Sequence, residues 1–303
     1  MTNDSLVLAA RDVLDRGPDA FAGPPADALV DEVSRQHPAG DLYCRATAKA
    51  IAALQIPVDS PDEIAASVYA NYIWSHFVCK LVMTASPPVA LEYARRLFDT
   101  GELQSAIDSD GPALLSSFHY TGFPLMALCL AQSPVAPLFS KGRPDLLEKS
   151  SARIRDHVVY LSDRSAGVRL TRALRQGRSV FIMLDVILSA TRVVRTQFLG
   201  LRMGVAAGLG KIARLSGRPC VPLFWELTDQ GTRLRAGPAV HPAPARSEEA
   251  LIQDFVDSQA VFVAQHPTHW LEWYSVLDEA PGIRGEIKRG NEVVWARLAR
   301  ALD

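Results

Sequence analysis

Paired cysteines, a basic leader and an unbroken apolar span are all missing from this chain, and each absence removes a class of protein. The four cysteines, Cys44, Cys79, Cys129 and Cys220, lie far apart with no CxxC pair and no His/Cys zinc spacing. No disulfide framework or structural zinc site is indicated, and a reduced, cytoplasmic protein is the expectation. The opening residues, MTNDSLVLAARDVLDRG, carry acids in their first turns and no basic segment ahead of an apolar core, so no signal peptide is expected. From Gly111 to Ser140 only His119 can carry charge, which by count is long enough to cross a bilayer. Pro112, Pro124, Pro134 and Pro137 interrupt that stretch, however, and favour strand, buried helix and strand over a transmembrane segment. The formal net charge is -1 over 303 residues, and no aromatic-interleaved or recognised DNA- or RNA-reading motif accompanies the arginines, so nucleic acid is not an expected partner.

What is present falls into two parts. Residues 4–17, 27–36 and 44–55 have the spacing of short amphipathic helices. Ser60-Pro61-Asp62-Glu63 then has the form of a capping box, opening a helix to about Thr84. A further helix is expected over Val89 to Leu97, which makes residues 1–105 a helical amino-terminal lobe. Beyond it, over 106–303, strand and helix signals alternate. Strands are expected at Ala113–Ser117, Val135–Phe139, His157–Leu161, Ser179–Asp185 and Cys220–Leu227, with helices at Asp145–Arg155, Ala166–Arg175 and Gly204–Leu215. Arg192–Phe198 reads as extended, Asp229-Gln230-Gly231 as a hairpin turn into Thr232–Val240, Ser247–Gln265 as a capped helix and Gly285–Leu302 as a last basic helix. This alternation predicts an α/β fold with a mostly parallel sheet.

Three groups of residues invite chemistry. His119 follows the run Ala113–Phe118 at the carboxyl end of a strand, and Tyr120-Thr121-Gly122-Phe123-Pro124 leads into a helix. Ligands gather at that edge of open α/β sheets, so the position suits a general base, the competing reading being a hydrogen-bonded core histidine. Lys80 is the one formally charged side chain between Glu63 and Glu92, and it shares a helical face with His76. Its ammonium either snorkels to solvent or lies in a cleft, where it would hold an anion or move a proton. Between Arg164 and Arg218 eleven basic residues, among them Arg192, Arg195 and Arg202, face one acid, Asp185. That imbalance reads as solvated helix surface or as a dock for phosphate, sulfate or an acidic carrier protein. His266-Pro267-Thr268-His269 lacks a third ligand for a metal, and the glycines from Gly204 to Gly210 lack the spacing of a phosphate loop. No metal and no cofactor is expected.

Four segments in register, SSFHYTGF, LRQGRSVFIMLD, TQFLGLRMGVAAGLGKIARLSGRPCVPLFWEL and HPTHWLEWY, resemble the late acyltransferases of lipid A biosynthesis over about residues 105–275. The resemblance implies an αβα glycerolipid-acyltransferase-like fold and transfer of an acyl chain from acyl carrier protein or coenzyme A to a hydroxyl. It also implies that His119 matches the catalytic histidine and Asp185 the acid ending the later strand. Phe198-Leu199-Gly200 would match the family's Phe-Phe-Gly turn, and Trp270 the tryptophan after its late proline. That family places a carboxylate five positions after the histidine, where this chain has Pro124. Its members also usually carry an apolar anchoring helix, which the amino terminus here does not show.

The expected function is accordingly that of a soluble acyltransferase-like enzyme of specialised metabolism. It would act on a small polar substrate held by coenzyme A or an acidic carrier protein, with His119, Lys80 and Asp185 catalytic and Arg192, Arg195 and Arg202 binding substrate. Two alternatives stay open: displacement of an anionic leaving group by an amine, closing a ring such as an aziridine, and a non-catalytic carrier-binding subunit. Whether a partner subunit completes the site is open as well.

Overall fold

The computed structural model describes residues 5–20, 23–54, 56–85, 88, 91–92, 94–95, 98–132, 138–141, 158–161, 163–185, 187, 192–228 and 231–302. Helices in chain order are α1 (Ser5–Arg16), α2 (Pro24–Gln36), α3 (Gly40–Ala53), α4 (Pro61–Ile73), α5 (Cys79–Ala85), α6 (Gly101–Asp110), α7 (Phe123–Gln132), α8 (Ala166–Arg175), α9 (Gly208–Ser216), α10 (Glu248–Gln265) and α11 (Ala280–Leu302). Strands are β1 (Phe98–Asp99), β2 (Leu114–Ser117), β3 (Leu138–Lys141), β4 (Val158–Tyr160), β5 (Val180–Met183), β6 (Val193–Phe198), β7 (Leu201–Ala206), β8 (Cys220–Thr228) and β9 (Gly231–Ala236). The chain divides into two compact units, one of residues 1–93, 121–125 and 267–303, the other of 94–120 and 126–266.

The first unit is helical. Leu6, Ala10 and Val13 of α1, Leu29 and Val33 of α2, and Ile283, Ile287, Val294 and Leu298 of α11 recur at helical spacing and are buried. Because that stripe on α11 is covered by α1 and α3, the carboxyl-terminal helix belongs with the amino-terminal ones and not with the α/β unit that precedes it in sequence. Ser60 caps α4, its hydroxyl accepting from the Glu63 N–H at 3.3 Å as the capping-box pattern predicts. The expected long helix to Thr84 is present but changes pitch, since Trp74–Val78 forms a π-helical turn between α4 and α5. Such turns insert a residue into the helix and re-aim the side chains on it.

The second unit is α/β. Its seven-stranded sheet has the order β1-β9-β8-β2-β5-β3-β4, and among the described strands every pairing is parallel except that of β8 with β9. Strand β2 is buried along its whole length and β5 nearly so, as central strands with helices on their faces must be. Their register is fixed by side chains as well as by the ladder. Ser116 Oγ donates to the Ile182 carbonyl at 2.7 Å, and Ser179 Oγ accepts from the Ala113 N–H at 3.2 Å.

One element differs from expectation. Gly204–Ala206, expected to open the helix over Gly204–Leu215, instead ends strand β7, which pairs antiparallel with β6 as a separate ribbon; α9 begins only at Gly208. The turn explains it. Leu199 at φ 50° and Gly200 at φ 88° both occupy left-handed conformations, as a tight two-residue hairpin requires. Met203 and Val205 are buried while Arg202 is exposed, the two-residue period of a half-covered strand. The helix expected over Asp145–Arg155 lies outside the described residues, as does most of that expected over Val89–Leu97.

Candidate active site

The parallel register of β2 and β5 brings two distant residues to one point. Leu114 pairs with Val180 and Ser117 with Met183, a constant offset of 66 that continues two residues past both strands to His119 and Asp185. There the Asp185 carboxylate takes two N–H groups from one residue. Oδ2 accepts from the His119 backbone N–H at 2.7 Å, and Oδ1 lies 2.6 Å from Nδ1 of the same residue's imidazole. Asp185 has no exposed side-chain surface, whereas the His119 side chain keeps 18%. An ionised carboxylate can only accept, so Nδ1 carries a proton, and in the neutral ring the lone pair is then on Nε2. The backbone bond adds a second constraint, because it fixes the orientation in which the carboxylate meets the ring.

The surroundings of the pair are apolar. Phe118 is fully buried, with its ring centroid 5.7 Å from that of Phe198 at the end of β6 and 6.3 Å from that of Phe255 on α10. Tyr120 is equally buried and its hydroxyl donates to Gln259 Oε1 at 2.6 Å. Burial, and secondarily the negative charge of Asp185, push that phenol well above its usual range, so Tyr120 stays protonated as a donor. Sequence reading names neither Gln259 nor this bond; a glutamine within the apolar stripe of α10 is its only signal.

The segment Thr121–Leu125 belongs to the helical unit and is held by it. The Thr121 N–H donates to the His269 carbonyl at 2.9 Å, and the Gly122 N–H to Ser75 Oγ at 2.8 Å. Gly122 has φ 79°, where a side chain would be strained. Ser75 sits in the π-helical turn, and the neighbouring His76 places its ring centroid 5.4 Å from that of Phe123. Lys80, one turn further, is partly exposed, with Nζ 3.2 Å from His76 Nδ1. The ammonium is thus shared with an imidazole on the same helical face, the face that spacing alone assigns to both.

The arginines expected to bind substrate divide. Arg192 bonds to Glu249 at 2.7 Å and lies 3.7 Å from Glu248, both in the first turn of α10, so the acids missing from its sequence neighbourhood arrive through the fold. Arg195 and Arg202 project from the open face of the β6–β7 ribbon, one on each strand, with Gln197 directly opposite Arg202. Trp270 is fully buried against Trp273 at a centroid distance of 5.0 Å, a core pair. Among the described residues no group of three or more His, Cys, Asp or Glu side chains could hold a metal ion, and no described helix is long and apolar enough to cross a membrane.

Comparison with known proteins places this geometry in context. No curated protein matches the sequence. Among solved structures, the chain is similar to the 1-acyl-sn-glycerophosphate (LPA) acyltransferase PlsC of Thermotoga maritima, at 14% identity and a TM-score of 0.41, covering 75% of this chain and 95% of that one. The profile of the bacterial lipid A biosynthesis acyltransferases matches residues 55–274, which include His119, Asp185 and the helix bearing Lys80. Matched over well more than half its length, the chain belongs to the bacterial lipid A biosynthesis acyltransferase family.

Proposed function

We propose that this protein is an acyltransferase-like enzyme of specialised metabolism in which His119 Nε2 is the general base and Asp185 its orienting acid. The observation that carries this reading is the 2.6 Å contact between His119 Nδ1 and a carboxylate with no exposed surface. In the step proposed, Nε2 takes the proton of an acceptor hydroxyl or amine as that group attacks the carbonyl carbon of an acyl thioester. The new bond to carbon forms, the carbon–sulfur bond breaks, and the imidazolium returns its proton to the departing thiolate. Asp185 stabilises the imidazolium between the two transfers. The substrate is a small polar molecule on coenzyme A or an acidic carrier protein. Lys80 with His76, and Arg195 with Arg202, are the cationic groups offered to its anionic parts.

The Asp185 carboxylate, two residues past β5 and 2.6 Å from His119 Nδ1, can orient the ring without one at Pro124, which supports acyl transfer over the alternatives. Displacement of sulfate or phosphate by an amine, with closure of a small ring, would use the same base, and a binding-only subunit would use none. Intact-mass measurement of the carrier-bound or thioester substrate separates the three: a mass gain on the acceptor supports acyl transfer, loss of the anion supports ring closure, and no change supports binding alone. For acyl transfer, His119→Ala is expected to lower single-turnover rates by about a hundredfold or more with the fold intact by circular dichroism. Lys80→Met keeps the stem and removes the charge, so a large rate loss reports the ammonium, whereas full activity returns Lys80 to the surface.

A further inference from the structure

Outside the His119 pair, the described residues of the second unit form a concavity that the proposed chemistry does not use. Helices α8 and α9 run side by side over the sheet and leave between them a groove of about 530 Å³, walled by Arg164, Arg172, Arg175 and Lys211, with Val168 and Leu215 among its apolar lining. Each helix is amphipathic for a simple reason. On α8, Ala166, Leu170, Ala173 and Leu174 face inward and leave the arginines outside, and on α9 Leu209, Ile212 and Ala213 do the same for Lys211 and Arg214. Val168 and Leu215 break that rule, standing 62% and 49% exposed among the cations.

We propose that this groove docks an acidic amphipathic helix of a partner protein, independently of whether His119 transfers an acyl group. Neither helix contains an acidic residue. The carboxylate nearest in sequence, Asp163, is engaged in the turn that starts α8, accepting from the Ser165 N–H and hydroxyl at 2.8 Å each and lying 3.5 Å from Arg169. Those hydrogen bonds hold it ionised below the usual carboxylate range. Arg164, Arg172 and Lys211 make no ion pair among the described residues. Three cations crowded on one groove repel one another, and a partner carrying carboxylates would relieve that repulsion while covering the two aliphatic side chains.

The shape favours a helix over a membrane. A bilayer is entered by protruding apolar groups, whereas Val168 and Leu215 line a concavity. A groove of this size accepts two or three side chains from successive turns of a helix with a pitch of about 5.4 Å. Arg175 serves the groove differently, since its guanidinium donates to the Leu215 carbonyl, from Nε at 3.1 Å and also from Nη2, closing the carboxyl end of α9 onto α8. That bond fixes the groove's width before any partner arrives.

The test uses the whole protein and a synthetic helical peptide about five turns long, lactam-stapled, with a leucine stripe flanked by glutamates. Its control carries glutamine for each glutamate. Fluorescence anisotropy is expected to show binding of the acidic peptide and much weaker binding of the control. Arg172→Glu with Lys211→Glu is expected to weaken binding about tenfold or more at low salt, and less at high salt. Val168→Ser should weaken it at both, while the distant surface change Lys288→Glu should leave it unchanged. Circular dichroism confirms that each variant is folded. Equal binding of both peptides, or unaltered binding by the folded double variant, overturns the proposal. So does binding to phosphatidylglycerol vesicles, lost in the double variant, with no binding of the acidic peptide, since that result assigns the groove to a membrane.

Discussion

Replacing Asp185 by asparagine changes one atom in volume terms and reverses the logic of the site. Both carboxylate oxygens now accept from N–H groups of His119, at 2.7 and 2.6 Å. Asparagine has one acceptor and one donor, so it cannot satisfy both. If its oxygen keeps the backbone N–H, its amide nitrogen faces Nδ1. The imidazole must then place its lone pair on Nδ1 and its proton on Nε2, and the base is presented the wrong way round. Loss of the charge-assisted bonds in a fully buried position should lower stability by about 2 kcal/mol. The effect on turnover should be larger, about a thousandfold, because the wrong tautomer and the loss of imidazolium stabilisation act together. Single-turnover thioester consumption, followed by intact mass with the folded fraction checked by circular dichroism, reads both. An Asp185→Asn protein that is folded and within about threefold of the native rate would refute the assignment of Asp185 as orienting acid and, with it, of His119 as the base it serves.

Other positions give independent expectations. His37 is buried, with Nε2 3.0 Å from Asn291 Oδ1 and Nδ1 accepting from the Ala39 N–H at 3.3 Å, an arrangement that suits the neutral ring, and burial lowers its pKa from the ordinary 6.5. The unfolded chain therefore binds more protons, so this contribution to stability is complete above about pH 6.5 and is lost as the pH falls below it; urea melts at several pH values should show the decline, and His37→Gln should flatten it. Leu199, at φ 50°, is strained as leucine, and Leu199→Asn should raise stability by about 1 kcal/mol; a lowered melting temperature would contradict the turn geometry. At Gly210 an added Cβ would stand 2.6 Å from the Glu248 carbonyl oxygen, so Gly210→Ala should cost about 2 kcal/mol or more by forcing α9 from α10, and denaturant titration would show no loss if that approach is not close.

The sequence shows much of this at the level of elements and little at the level of pairings. Strands β2 and β5 are legible as short apolar runs ending in His119 and Asp185, and both residues can be named. That they meet is not legible, because the meeting depends on which parallel strands are neighbours and in what register, and no local pattern records a partner 66 residues away. Lys80 and His76 are recognisable as companions because helical spacing is local. Arg192 misleads for the reverse reason, since Glu248 and Glu249 come from α10, more than fifty positions along the chain. Strand β6 is legible as an extended segment, but its partner β7 escapes notice because glycine and alanine hide a strand's alternation and because leucine seldom occupies the left-handed turn position that Leu199 fills.

The central claim, that Asp185 holds His119 as an Nε2 base, can be measured without knowing the substrate. In protein labelled with ¹⁵N-histidine, at about pH 8.5 where an ordinary imidazole is neutral, long-range ¹H–¹⁵N correlation distinguishes the two ring nitrogens. His119 is identified by the disappearance of its signals in His119→Ala. The account predicts a protonated, pyrrole-type Nδ1 and a pyridine-type Nε2 for His119, with the two exchanging character in Asp185→Asn. A protonated Nε2 in the native protein, unchanged by Asp185→Asn, would contradict it.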